Sequence, residues 1–329
     1  MAEPTLATSL TELRSSVSRF MGFTRTYASL NSTESADVDE VIVRGLRRFY
    51  SPPVLPGETK AHEWSFLRPL RTVTTQAPYA TGTITVANGV VTLSGGTFPS
   101  WAASGEMSFS GGLYTVSTRD GNTQVTLDDG EIDASAGTTY TLYLPQQDLP
   151  DDFGGISAGA FTYPPASGRS SVPLTSDHSI RSARQRSGLQ VGAPRVCSVR
   201  PKAKETATGT RWEVVWHPIP DAEYDLTYRM NVLPDALVAS TNIHPYGGSA
   251  HAETILESCL SIAETMAPDN KRDLHQRLFM ERLAASVMLD RQASEPDTYG
   301  ICEDRSDDLA DRRVQYLPSD SNFRVVLGP

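Results

Sequence analysis

Apolar residues recur at helical spacing along 248–291, and the rest of the chain is read around that stretch. Ala252, Ile255, Leu256, Cys259, Leu260, Ala263 and Met266 form one stripe. After Pro268-Asp269-Asn270 the pattern resumes with Leu274, Leu278, Leu283, Val287 and Met288. Spacing of i, i+3, i+4, i+7 marks a helix with one buried face. Pro268 suits an early position of a second helix, where its missing N–H costs little. Two consecutive helices, or one kinked helix, are predicted.

Two more amphipathic segments open the chain. The first runs from about Leu10 to Met21, with Leu10, Leu13, Val17, Phe20 and Met21 on one face. Ser9 and Glu12 have capping-box spacing, and Gly22 ends the segment. A polar linker is expected over 24–35. Asp37 and Glu40 repeat the capping-box spacing, and a helix follows to about Tyr50. Its apolar face is Val38, Val41, Ile42, Leu46 and Phe49; Arg44, Arg47 and Arg48 lie elsewhere on it. Pro52-Pro53 stops it. The Pro-rich run that follows, with Trp64, Phe66 and Leu67, is read as an ordered loop entering a strand near 70–75.

The period then changes from helical to alternating. TGTITVANGVVTL is two short strands joined by Asn88-Gly89, a strong hairpin signal. Strand-like runs follow at 106–109, 113–117, 124–127 and 140–144, with turns at Gly111-Gly112, Asp120-Gly121 and Asp129-Gly130. Five or six short strands at this spacing predict a small barrel or sandwich, inserted between helix-rich segments. A long irregular connection is expected over 146–194. Alternation returns at 196–199, 212–216 and 224–232, predicting an antiparallel meander whose apolar face packs on the helices. The expected fold class is therefore α+β: a helical bundle core with an antiparallel β-meander and an inserted small all-β domain. The expected parts are 1–78 and 195–294 for the core, 79–145 for the insertion, 146–194 for the connection and 295–329 for a C-terminal arm. The arm is dense in charge of both signs. Its apolar pieces, Val314, Tyr316 and Leu317, then Phe323, Val325, Val326 and Leu327, have no nearby complement. That pattern suits a segment that orders on a partner.

Composition narrows the function. The 329 residues carry 29 basic and 39 acidic side chains, a net charge of −10. Such a chain does not bind DNA by neutralising phosphates over a broad surface, but it can surround DNA without gripping it. Cys197, Cys259 and Cys302 are widely spaced with no CxxC, and Cys259 reads as a small core residue. The N-terminus lacks the pattern of a secretory leader, and no apolar run reaches membrane-spanning length, so a soluble protein made in the cytoplasm is expected.

Three arrangements are weighed as chemistry and set aside. Gly155-Ile156-Ser157-Ala158-Gly159 matches GxSxG, but neither the strand before it nor the helix after it is expected. His251-Ala252-Glu253 matches half of a zinc-deaminase signature without the PCxxC half. His244 and His275 add no ligand spacing to it. Asp128-Asp129-Gly130-Glu131-Ile132-Asp133 is an acidic loop without EF-hand order. No catalytic residue, cofactor or metal is predicted, and the chain is not expected to be an enzyme.

Several segments together resemble a known family. VIVRGLRRFYSPPVLPG leading to HEWSFLRP (41–69) is similar to the opening of tailed-bacteriophage head–tail connector proteins, the adaptors. YLPQQDLPDDFGG (143–155) is similar to their re-entry from a β-insertion. YDLTYRMNVLPDAL (224–237), leading into GGSAHAETILESCL and HQRLFMERLAASVMLDR, is similar to their closing helices. The resemblance implies a structural virion protein with a helical core. It implies a ring, usually dodecameric, under the portal, through which DNA passes and to which a neck or tail protein attaches. A terminal arm docking on the portal is implied too. Candidate subunit or portal contacts are then Arg44, Arg47, Arg48, Tyr316, Leu317, Phe323, Val325, Val326 and Leu327. The competing expectations are a virion-surface or host-binding protein whose β-insertion binds glycan, and a hydrolase using Ser157.

Overall fold

The computed structural model describes residues 5–202, 209–266 and 273–293. The chain begins with α1 (Leu10–Phe20), α2 (Ser32–Tyr50) and β1 (Leu70–Thr74). Next come β2 (Thr83–Ala87), β3 (Val90–Ser94), β4 (Glu106–Phe109), β5 (Gly112–Arg119), β6 (Gln124–Leu127), β7 (Ala134–Thr138) and β8 (Thr141–Tyr143). They are followed by β9 (Gln146–Asp148), β10 (Phe153–Thr162), β11 (Val172–Pro173) and α3 (Asp177–Ser187). Last come β12 (Val196–Pro201), β13 (Trp212–His217), β14 (Asp225–Val232), α4 (Ala252–Met266) and α5 (Leu274–Ala293). Among the described residues the chain divides into two compact units, one of 5–69 with 231–293 and one of 70–230.

The expected helical-bundle core is corrected by this count. Fourteen strands in three sheets stand against five α-helices among the described residues, so the chain is mostly β. The physical reason lies in 146–194, expected to be irregular, and in the meander. The Gly- and Ala-rich run 153–162 forms β10, which lies between β14 and β11 in a four-stranded sheet ordered β1-β14-β10-β11. Strand β14 therefore leaves the expected meander and pairs with β1, Leu70 opposite Arg229 through Thr74 opposite Asp225. Strands β12 and β13 pair with each other, and β13 pairs with β9. The apolar face expected to cover helices covers sheet instead: Phe161 packs against Trp216 at 5.1 Å and Tyr228 at 4.8 Å between ring centroids.

Residues 83–143 form seven strands, one more than the six runs read from the sequence, and they lie within the 70–230 unit. A seven-stranded antiparallel sheet, ordered β7-β2-β3-β6-β5-β4-β8, surrounds a single core that includes Ile84, Val91, Phe98, Met107, Val125 and Leu142. Asn88 and Gly89 both have positive φ, 49° and 74°, as a type I′ hairpin turn demands. Tyr79 bridges Leu142 where the chain enters and leaves the sheet.

The helical unit is built from caps and close approach. Helix α1 starts at the Ser9–Glu12 capping box, as the spacing predicted. Helix α2 starts earlier than Asp37 implied. Asn31 and Glu34 form the capping box, so most of the expected linker 24–35 lies before or inside its first turn. Arg14 on α1 grips Asp39 on α2 through two bonds of 2.9 and 3.0 Å. Helices α4 and α5 occupy the predicted stretch, while Pro268 lies outside the described residues.

Helix α2 meets α4 at Gly45. A β-carbon added there would lie 2.6 Å from the Cys259 α-carbon and 2.7 Å from its Sγ, so only glycine fits. The Ser258 hydroxyl donates to the Gly45 carbonyl at 2.7 Å across the same contact. Gly45→Ala should therefore destabilise the helical unit by roughly 1–3 kcal/mol through overpacking, read as a lower urea midpoint. Cys259→Ala in the same chain should not restore it, because the clash with backbone remains. Full restoration would show that only the sulfur matters.

Candidate interaction surface

Helix α4 is central to the helical unit, and its buried face is more polar than its stripe suggested. Thr254, Glu257, Ser258, Ser261 and Glu264 are buried beside Ile255, Cys259 and Ala263. Each of these polar side chains finds a partner. Glu264 accepts the backbone N–H groups of Leu274 and His275 at 3.1 and 2.9 Å, capping the exposed amides at the start of α5. Glu257 bonds His275 at 2.7 Å. Thr254 bonds Ser286 at 2.7 Å, and Ser261 accepts from Arg48 at 2.9 Å.

The three arginines of α2 consequently differ. Arg48 is engaged within the unit: besides Ser261, its guanidinium lies 4.6 Å from the Phe279 ring centre, and burial lowers its pKa. Arg44 pairs with Glu40 at 3.2 Å on an exposed surface. Arg47 is exposed and lines a pocket of about 220 Å³ with Val43, Leu46, Tyr50, Leu233 and Asp235. The segment that closes this pocket is held locally. The Tyr246 N–H donates to the Tyr50 hydroxyl at 2.9 Å, and Leu10 N–H donates to the Ile243 carbonyl at 2.8 Å. Burial pushes the Tyr50 phenol well above its ordinary value.

Around the pocket the unit exposes apolar side chains. Leu233 is 60% exposed, and Val238, Ile243 and Tyr246 are exposed to 38% or more. Apolar groups displayed beside a pocket make this a candidate interaction surface. Sequence periodicity missed it because 233–246 has no regular secondary structure. Tyr316, Leu317, Phe323, Val325, Val326 and Leu327 lie outside the described residues.

The weighed chemical motifs are placed as follows. Ser157 lies inside β10, in mid-strand rather than at a strand-to-helix turn. His244, His251, Glu253 and His275 are not brought together as ligands. His244 faces the Thr8 carbonyl, Glu253 pairs with Arg282, and His275 bonds Glu257. No group of three candidate ligands forms a metal site among the described residues. Cys259 is buried, which raises its thiol to about 12. No described helix is long and apolar enough to cross a membrane. Compared with known proteins, the chain matches no family model and no curated sequence.

His251 is buried against Trp64, Phe66 and Phe49 at 5.2, 5.3 and 6.1 Å between ring centroids. Nearby, buried Asp290 accepts from the Ser65 hydroxyl at 2.5 Å and the Ser65 amide at 3.0 Å, and bonds His62 at 2.8 Å. Burial pushes Asp290 up, but the Ser65 bonds and His62 outweigh it and hold the carboxyl below 3.8. Burial lowers His251 below its ordinary 6.5. A histidine held neutral in the folded state takes up a proton more readily when unfolded. Its contribution to stability is therefore full above pH 6.5 and declines as pH falls from there towards its folded value. The Asp290 contribution persists down to about pH 3.8 and does not enter that window. Urea midpoints should fall between pH 7 and pH 5, and His251→Phe should flatten that slope; an unchanged slope would refute the assignment.

Proposed function

We propose that this chain is a structural virion protein, an adaptor that forms a ring beneath the portal of a tailed phage and carries the next neck or tail component. The observation that carries this reading is the interrupted chain order. Helices over 10–50 and 252–293 belong to one unit, and 70–230 forms a β-rich unit between them. That is the order in which the connector-like segments resemble the family. The exposed apolar surface beside Arg47 supports it further, because an assembly protein needs faces that neighbours cover.

In this reading, DNA passes through the ring without sequence-specific contacts, kept free by the net charge of −10. The portal is the partner of the helical unit's open surface and of the C-terminal segment. The site is the virion's head–tail interface. No catalytic role is assigned to any residue.

Purified chain mixed with portal rings should give a stoichiometric complex on a sizing column. Deleting 295–329 should abolish that complex without lowering the melting temperature. Leu233→Asp with Arg47→Glu should weaken it by roughly ten-fold or more, as loss of a buried anchor and a paired charge does. Failure of the full-length chain to associate with portal would overturn the adaptor reading. Undiminished association of the truncated chain would remove the C-terminal segment from it.

A further inference from the structure

Charge is unevenly distributed in the β-rich unit. Residues 168–202 carry seven basic side chains and a single carboxylate, Asp177, in a chain of net charge −10. Four of the seven are neutralised at home. Arg184 faces Glu106 at 3.5 Å, and Lys202 pairs with Asp148 at 2.8 Å. Arg181 and Arg200 share Asp177, at 2.6 and 2.9 Å. Arg169, Arg186 and Arg195 are exposed and have no carboxylate partner among the described residues.

Arg169 and Arg195 lie near the C-terminal end of β13, and Arg186 is on α3, whose Arg184 reaches the same strand end. The Arg195 N–H donates to the His217 carbonyl at 2.9 Å. Arg184, two residues before Arg186 on α3, donates to the Trp216 carbonyl at 2.9 Å. Arg169 lies over the rings of Tyr163 and Tyr224, 5.7 and 5.0 Å from their centres. The Tyr163 hydroxyl in turn donates to the carbonyl of Pro194, the residue before Arg195.

The same unit displays the complementary charge elsewhere. Asp128, Asp129, Glu131 and Asp133 are all exposed, and none takes part in an ion pair among the described residues. Their loop is pinned to the β2–β3 turn: Gly89 N–H donates to the Ile132 carbonyl at 2.9 Å, and Asn88 N–H to Asp133 Oδ1 at 2.7 Å. The loop is thus held as a fixed projection, pre-organised for contact.

We propose that the arginine face of one copy receives the acidic loop of a second copy. The contact is heterologous, joining two different surfaces, which is the kind that closes a ring under rotation. The ring rests on the adaptor reading, but this pairing can fail alone. Nucleic acid is the less suitable occupant. Three unpaired arginines neutralise few phosphates, and the chain's overall charge repels the polymer.

Charge swapping of the full chain tests this by analytical ultracentrifugation at low and high salt. The parent should self-associate at low salt and dissociate at high salt. Arg169→Glu with Arg195→Glu should weaken self-association by about ten-fold or more, as should Asp129→Lys with Glu131→Lys, because each then opposes like charges. Mixing the two variants should restore association, since each copy's loop meets an opposite face. All four changes in one chain should restore it also. Melting temperature controls for folding. A parent monomeric at every salt concentration, variants that associate like the parent, or a mixture that stays apart would each overturn the pairing. So would loss of binding to labelled duplex DNA in the arginine variant with self-association intact. Portal binding, measured separately, bears on the adaptor reading alone.

Discussion

The close approach of α2 to α4 at Gly45 is the constraint on which the helical unit depends. The missing side chain lets the Cys259 backbone come within contact distance, and that proximity brings Ser258 to the Gly45 carbonyl. One turn along, Arg48 can then reach Ser261 and cover Phe279 of α5. The polar residues of α4 are tolerated in the interior because every one has a partner placed by this packing. Glu264 is the clearest case, since its carboxylate caps α5 only while the two helices stay in register. Buried polar networks of this kind specify one arrangement, and they are destabilising when half satisfied.

How much of this was legible depended on whether the signal was local. The Ser9–Glu12 box and the Asn88-Gly89 turn are short-range devices, and both form as their residues dictate. The second capping box was misplaced because Asp37-to-Glu40 has the same spacing as Asn31-to-Glu34, which lies six residues earlier and forms the cap. Strand β10 was invisible because Gly154, Gly155, Ala158, Gly159 and Ala160 offer no apolar alternation. Its strand character comes from neighbours on both sides, β14 and β11, and such pairing is a tertiary effect. The destination of β14 was hidden likewise: alternation showed that Leu226, Tyr228 and Met230 share a face, but not which strand pairs beside them. On α4, hydrophobic spacing located the helix and missed half its buried face, because Glu257 and Ser258 look solvated in sequence. Of the α2 arginines, Arg48 belongs to the interior and Arg47 to the open surface, a distinction that composition could not draw.

The proposed adaptor role rests on what each unit leaves exposed. The β-rich unit buries Phe161, Trp216 and Tyr228 against one another and leaves charge outside, positive near β13 and negative beside the β2–β3 turn. The helical unit leaves apolar side chains exposed at and beyond a pocket that Arg47 helps line. Charged faces select partners and orientation, while an apolar pocket supplies anchoring contact. The proposed adaptor would need both kinds of surface, one for copies of itself and one for an unlike neighbour.

The most direct test is cryo-electron microscopy of the native particle containing this chain, averaged about the axis of the portal vertex. The account predicts a rotationally symmetric ring of this chain between portal and tail, with its helices and its seven-stranded sheet traceable in each copy. Density for the chain on fibres, on the capsid surface, or nowhere at that vertex would contradict it.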